Sequence, residues 1–170
     1  MRPVGFLFSV CVSMAVAVSA CSGPQTRGPN IKAGDMPAGE EWRGVYFNEI
    51  FGMLHLDEQG DNIVGAWRRK DGSKWGEMNG AKQGNLLHYT WTEYTVGQPN
   101  VPAFTSKGKG YFVYKRPPGD NVDDTLSGEW GLNNAETGNA WDCVKQRHMN
   151  PDLKSIGGQE ESGGPSKDWK

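Results

Sequence analysis

Short segments of alternating hydrophobic and polar residues fill the middle of the chain. Their period of two residues is typical of β-strands with one buried and one solvated face. Turn-forming runs such as residues 59–62 and 117–120 separate the segments, and glycine recurs too often for stable helices. The pattern predicts eight strands, over residues 41–47, 52–57, 63–69, 75–81, 86–94, 110–115, 125–132 and 140–147.

The connections between these strands predict how they pair. Most are short, which favours an antiparallel meander, and closing the meander into a barrel removes both exposed edges. We therefore predict an all-β fold, a single eight-stranded antiparallel up-and-down barrel or a strongly coiled meander. A barrel of this size is either filled by side chains or holds one small ligand. The longest connection covers residues 95–106.

One motif indicates which face of the strands is buried. Residues 63–67 and 126–130 share the form aliphatic-x-Gly-x-Trp, while Ser127 and Glu129 on the opposite face suit water. A glycine on the tryptophan face leaves room for the indole ring and lets the strand coil. The predicted interior is Trp42, Tyr46, Leu54, Leu56, Ile63, Trp67, Met78, Leu87, Tyr89, Trp91, Phe112, Tyr114, Leu126, Trp130, Trp141 and Cys143.

This repeating Gly-x-aromatic meander resembles the small barrels of the avidin and lipocalin group over residues 41–147. The Gly-x-Trp that opens the lipocalin barrel occurs here at Gly65 and Trp67, on the third predicted strand rather than the first. The resemblance implies the architecture and no particular ligand.

The first twenty residues predict an export signal. Arg2 precedes an apolar run, residues 5–18, that is too short and too weakly flanked for a secure membrane span. The run ends in Val-Ser-Ala before Cys21, which resembles a bacterial lipobox, although the family usually has leucine where Val18 stands. The resemblance implies cleavage after residue 20, acylation of Cys21, for example with palmitate, and, because Ser22 is not aspartate, an outer-membrane location. The alternative is an ordinary secretory signal.

Composition divides the rest of the chain. Residues 21–40 and 148–170 are rich in glycine, proline and polar residues, which predicts a flexible lipidated tether and a disordered tail around a barrel domain at 41–147. With Cys11 in the signal and Cys21 acylated, Cys143 is left alone and no intrachain disulfide can form. The formal net charge of −2 gives no basic excess for nucleic acid.

No arrangement of residues predicts catalysis. Phosphate loops, paired carboxylates and Ser/His/Asp triads are missing from the sequence, so we expect neither an enzyme nor a cofactor. His55 and Asp57 share a strand face, but no third metal ligand is evident, and His55 and His88 are interpreted as solvated surface residues. The basic run at residues 68–70 is interpreted as a solvated hairpin tip.

Aromatic residues and one carboxylate suggest a site at a barrel mouth. Glu93 shares a face with Tyr89 and Trp91 and ends its strand beside the long connection, which contains Phe104. Glu93 either orients a ligand or is solvated at the rim, and the aromatic residues either contact a ligand or fill the core. The candidate ligand-binding residues are Tyr46, Tyr89, Trp91, Glu93, Phe104 and Tyr114.

These features together favour a non-enzymatic cell-envelope lipoprotein. We expect a membrane anchor at Cys21 and a barrel mouth and long loop that bind a small apolar or aromatic ligand or a partner envelope protein. The alternative is a protease-inhibitor barrel in which residues 21–40 enter the protease. Inhibitors of that family carry a disulfide near their first strands, which this chain cannot form.

Overall fold

The computed structural model describes residues 29–96 and 105–156, so Cys21, the signal segment and Phe104 lie outside the described residues. The strands are β1 (Gly44–Asn48), β2 (Gly52–Gln59), β3 (Asn62–Arg68), β4 (Lys74–Gln83), β5 (Leu86–Thr95), β6 (Thr105–Lys115), β7 (Thr125–Leu132) and β8 (Asn139–Lys145), followed by a short 3-10 helix, Leu153–Ser155. No helix in these two ranges is long and apolar enough to cross a membrane.

The eight strands form a closed antiparallel barrel, which confirms the predicted fold class. Each strand pairs with the next, and β8 closes the barrel onto β1 through Tyr46 opposite Lys145 and Phe47 opposite Val144. The architecture is consistent with a lipocalin- or avidin-like barrel. The start of β6 was predicted at residue 110 but is Thr105, because Gly108 and Gly110 leave that stretch without the hydrophobic side chains that reveal a strand.

The interior is filled with side chains. Every residue of the predicted interior belongs to the buried core or, in the case of the half-buried Trp130, packs against it. Phe51 completes the core, although the sequence pattern did not place it there. Most residues of this core are aromatic, and large rings bury more area per residue, which offsets the scarcity of aliphatic residues.

Glycines make room for these rings across the barrel wall. A Cβ atom at Gly76 would lie 2.2 Å from the ring of Trp67, and one at Gly110 would lie 2.4 Å from the hydroxyl of Tyr89. Each glycine lies directly opposite its aromatic residue on the neighbouring strand. The space for each ring therefore comes from a glycine on the neighbouring strand. The motif had suggested that it comes from the glycine on the same strand as the ring.

The two ends of the barrel differ. We call the end with the β1–β2, β3–β4 and β7–β8 turns the mouth, since the β5–β6 connection begins there too. The N-terminal segment closes the opposite end, which we call the base. Trp42 enters the core and its Nε1 donates to the carbonyl of Gly84 at 3.1 Å, while the backbone N–H of Gly34 donates to Asn85 Oδ1 at 2.7 Å. Part of the predicted tether, residues 29–40, therefore packs against the barrel.

The segment after β8 covers part of the outer wall. The backbone N–H of Asp152 donates to Nδ1 of His55 at 2.9 Å, and Ile156 is buried. Residues 148–156, predicted to begin a disordered tail, thus return to β2 and β3. His55 faces outward as expected, but it is buried rather than solvated, and this burial lowers its pKa.

Candidate functional site

The candidate ligand-binding residues do not form one site. Trp91 and Glu93 line the mouth, whereas Tyr89 lies within the core against Phe112. Tyr114 is at the base, where its hydroxyl donates to Glu40 Oε2 at 2.8 Å. Tyr46 is equally buried and donates to the carbonyl of Trp42 at 2.8 Å. Only Trp91 and Glu93 remain as mouth residues, and the others in the described part of the chain fill the barrel.

A tight turn brings Phe51 into the mouth. Asn48 Oδ1 accepts hydrogen bonds from the backbone N–H groups of Ile50 at 2.8 Å and Phe51 at 2.9 Å. Gly52 follows with a φ of +71°, which favours glycine, and a Cβ there would lie 2.3 Å from the carbonyl oxygen of Arg68. The turn therefore reverses the chain tightly and buries the Phe51 ring.

Five aromatic residues enclose the mouth cavity. The ring of Phe51 packs tilted on Trp141 at 4.4 Å and edge-on to Trp130 at 6.0 Å between centroids. Trp91 is nearly perpendicular to Trp130, and Trp67 completes the wall. The free volume among these rings is about 10 Å³, which is room for about one water molecule. A bound group would therefore lie against the rings at the opening rather than inside the barrel.

A buried carboxylate lies at the edge of this cavity. Glu93 is only 6% exposed, and its oxygens accept hydrogen bonds from Arg69 Nε at 2.9 Å and Arg69 Nη2 at 3.0 Å. Lys74 Nζ lies 3.2 Å from Glu93 Oε1. The solvated-rim interpretation of Glu93 is therefore wrong. The bidentate geometry fixes both side chains, and two cations compensate one carboxylate.

Arg69 also contacts the aromatic wall. Its guanidinium carbon lies 5.3 Å from the centroid of the Phe51 ring, within the range of a cation–π interaction. The interpretation of residues 68–70 as a solvated hairpin tip is therefore wrong for Arg69, whose side chain is only a quarter exposed. It holds for Lys70, which is largely exposed and pairs with Glu49.

Exposed apolar residues surround the mouth. Ile50 in the β1–β2 turn is 65% exposed and Leu132 at the end of β7 is 54% exposed. Val96, which starts the β5–β6 connection, is exposed as well. Apolar side chains grouped at one end of a barrel are typical of binding surfaces.

Other parts of the described structure offer less specific chemistry. Residues 29–96 and 105–156 contain no group of three His, Cys, Asp or Glu side chains that could hold a metal ion. Cys143 lies in the core as predicted, and burial raises the pKa of its thiol. A wide groove on the outer face of β3–β5 lies between Trp75 and Leu153. Trp75 in the wall of this groove stacks on Tyr94.

The sequence analysis missed Phe51, Arg69 and Lys74 at the mouth. It assigned three further mouth residues to the interior without naming them as site residues, namely Trp67, Trp130 and Trp141. For Arg69 a signal existed, because it continues the inward-facing series that Trp67 shares with Ile63. Phe51 lies in a turn and Lys74 at a strand end, where alternation does not determine orientation.

Comparisons of the chain with protein-family models, curated proteins and solved structures give no match.

Proposed function

We propose that this chain is a non-enzymatic, lipid-anchored protein of the bacterial cell envelope that binds a small apolar or aromatic group at its barrel mouth. The group belongs either to a free ligand or to a side chain of a partner envelope protein. The observation that carries the proposal is the aromatic cavity, open to solvent and bordered by the Arg69–Glu93 pair. The exposed Ile50 and Leu132 extend its apolar surface outward.

The filled interior favours a group that enters the mouth over a ligand enclosed by the barrel. Tyr89, Phe112 and Trp141 pack against one another in the middle of the core. The free volume at the mouth is about 10 Å³, room for about one water molecule, so a bound group would lie on the exposed ring surface at the opening.

Titration with small aromatic probes tests the mouth. We expect indole or benzyl alcohol to shift the NMR signals of Phe51, Trp91 and Trp130 in the mature chain. Replacing Trp130 with leucine is expected to weaken binding about tenfold, which is the effect of losing one aromatic contact.

Trp75 provides the matched control for this titration, because it is a tryptophan on the outer face of the barrel. Its replacement with leucine should leave probe binding unchanged. Shifts confined to the outer groove, or no shifts with either probe, would contradict the proposal.

The anchor is tested by metabolic labelling. We expect radiolabelled palmitate to enter the wild-type protein and to be absent from the Cys21→Ala variant, because the proposed acylation needs that thiol. Cys143→Ala should keep the label, since Cys143 is buried in the core. Labelling that persists without Cys21 would refute the proposed anchor.

The protease-inhibitor alternative receives less support. It requires an N-terminal segment free to enter a protease, whereas Gly34 and Trp42 are hydrogen-bonded to the β4–β5 turn. Glu40 is held by Arg116 and Lys145. These contacts occupy the part of the segment nearest the barrel, so the mouth remains the better-supported site.

A further inference from the structure

Three tryptophans at the mouth have buried indole N–H groups without an acceptor. Trp67, Trp130 and Trp141 line the mouth cavity, and no atom in the described part of the chain accepts a hydrogen bond from their Nε1 atoms. A buried donor that is left unpaired destabilises the fold. Trp91 in the same wall shows the ordinary arrangement, because its Nε1 donates to the carbonyl of Lys109 at 3.2 Å. The three unpaired donors therefore indicate a place for an acceptor.

The free volume among the mouth rings limits what this acceptor is. About 10 Å³ holds one atom of the size of a water oxygen. An indole N–H is a donor only, so the atom that complements it is a hydrogen-bond acceptor. A carboxylate or carbonyl oxygen meets both requirements, whereas an ammonium group supplies only further donors. The cavity therefore fits one oxygen of a ligand whose other atoms lie against the rings at the opening.

The charges at the edge of the cavity favour an anionic oxygen. Arg69 and Lys74 both contact Glu93, so these three groups together carry one net positive charge. Arg69 donates two of its five N–H groups to Glu93. The carboxylate of Asp71, also in the β3–β4 hairpin, is exposed, accepts hydrogen bonds from Ser73, and is screened by solvent. The edge thus complements a carboxylate better than a neutral carbonyl group.

We infer that the mouth binds a small aromatic carboxylate, with one carboxylate oxygen among the indole N–H groups and the ligand's ring on the aromatic surface at the opening. The inference rests on the proposed function of the mouth and names the class of its ligand. Hydrogen bonds to an ionised acceptor are about twice as strong as those between neutral groups, so the unpaired donors favour a carboxylate over an alcohol or an amide. The exposed Ile50 and Leu132 add apolar surface for the ligand's ring.

Benzoate and benzamide separate the charge of the acceptor from the shape of the ligand. The mature chain in a maltoside detergent would be titrated with each compound at neutral pH, and binding followed by the NMR signals of the indole Nε1–H protons. We expect benzoate to bind about 5- to 10-fold more tightly than benzamide, because its acceptor is charged. We also expect benzoate to shift the Nε1–H signals of Trp67, Trp130 and Trp141 downfield, as the formation of a hydrogen bond does.

Two phenylalanine variants show whether the unpaired N–H groups bind the ligand. Trp130→Phe keeps an aromatic ring but removes one unpaired donor, so the affinity for benzoate should fall about tenfold or more and the preference for benzoate over benzamide should shrink. Trp91→Phe is the matched control, because it removes the same atoms from the same wall but an N–H that is already bonded to Lys109. It should weaken both probes by the same factor and leave the preference as it is.

A lysine pair tests the charge without changing the aromatic core. Lys74→Met removes the excess positive charge beside Glu93, so the preference for benzoate over benzamide should fall towards one. Lys70→Met is the matched control, since Lys70 is largely exposed and pairs with Glu49, and it should leave the preference unchanged. This pair keeps the inference testable if Trp130→Phe does not fold.

The outcomes separate this inference from the function on which it rests. Equal affinities for benzoate and benzamide, or benzoate binding that leaves the three Nε1–H signals unshifted, would overturn the inference and mean that water alone serves these donors. Binding of indole or benzyl alcohol at the mouth would then still support the proposed function. If none of these compounds binds at the mouth, both the inference and the proposed function fail.

Discussion

Replacing Trp67 with alanine is expected to lower the free energy of unfolding by about 3–5 kcal/mol. The side chain is fully buried, lies edge-on to Trp141 with 5.2 Å between centroids, and fills the space left by Gly76. Removing it leaves a cavity that the closed barrel cannot collapse to fill. Urea denaturation followed by circular dichroism measures the change, which is a large share of the 5–15 kcal/mol that stabilises a typical domain.

A tryptophan on the outer face of the barrel provides the comparison with Trp67. Trp75 stacks on Tyr94 with 4.4 Å between centroids, but it is only partly buried. Replacing Trp75 with alanine should lower the free energy of unfolding by no more than about 1.5 kcal/mol, the value of one aromatic pair. Similar losses in both variants would mean that position inside the barrel does not set the contribution of a tryptophan to stability.

The interior could be predicted because strand geometry relates each position to the next. In a β-strand, side chains two residues apart face the same way, so the Trp-containing motifs identified the buried face of β3 and β7, and the hydrophobic alternation of each other strand identified its own. Alternation did not identify Phe51 as a core residue, because Phe51 lies in a turn. Its burial depends on the Asn48 side chain and on the positive φ of Gly52, which alternation does not reveal.

The register between paired strands could not be predicted. Gly76 accommodates the Trp67 ring only because the register places these two residues opposite each other. The same register places Gly76 opposite Glu93. Glu93 thus lies across Gly76 from Trp67, and its carboxylate accepts its hydrogen bonds from Arg69, two residues beyond Trp67. The ion pair of the mouth therefore depends on a register that the sequence alone did not specify.

The positions of the candidate site residues could also be predicted only in part. Trp91, Glu93 and Tyr114 share the inner face of the barrel, and alternation identified that face correctly. Which end of the barrel a residue occupies depends on the direction and length of its strand. Tyr114 is near the end of β6 and Glu93 near the end of β5, and since these strands are antiparallel, the two residues lie at opposite ends.

The base is held by charged groups rather than by an aromatic cavity. Asp124 is buried, and its carboxylate accepts a hydrogen bond from Arg116 Nε at 3.1 Å. It also lies 3.0 Å from the Tyr114 hydroxyl, whose single proton it shares with Glu40. Glu40 from the N-terminal segment binds the same arginine and the same hydroxyl. The network thus joins the N-terminal segment to the base and keeps it away from the mouth.

Replacing Asp124 with asparagine is expected to lower the free energy of unfolding by about 2 kcal/mol at neutral pH, the value of hydrogen bonds to a charged group. Burial alone would raise the pKa of Asp124, but the hydrogen bonds from Arg116 and Tyr114 outweigh it and hold the pKa below its usual value. Because the folded state favours the charged form, this contribution is present above the ordinary aspartate pKa and is lost as pH falls through the lowered one. Denaturation measured from neutral to acidic pH should show the difference between wild type and variant shrinking.

Asp123 supplies a neighbouring control. It pairs with Arg147 at 2.7 Å, but both side chains are nearly half exposed, so solvent screens the interaction. Asp123→Asn should therefore change the free energy of unfolding by less than about 1 kcal/mol. If Asp124→Asn cost no more than Asp123→Asn, or if its cost were the same at every pH, the buried carboxylate would not be what holds the N-terminal segment at the base. Because the network joins that segment to the barrel at the end opposite the mouth, an anchor attached there would leave the aromatic cavity facing away from it.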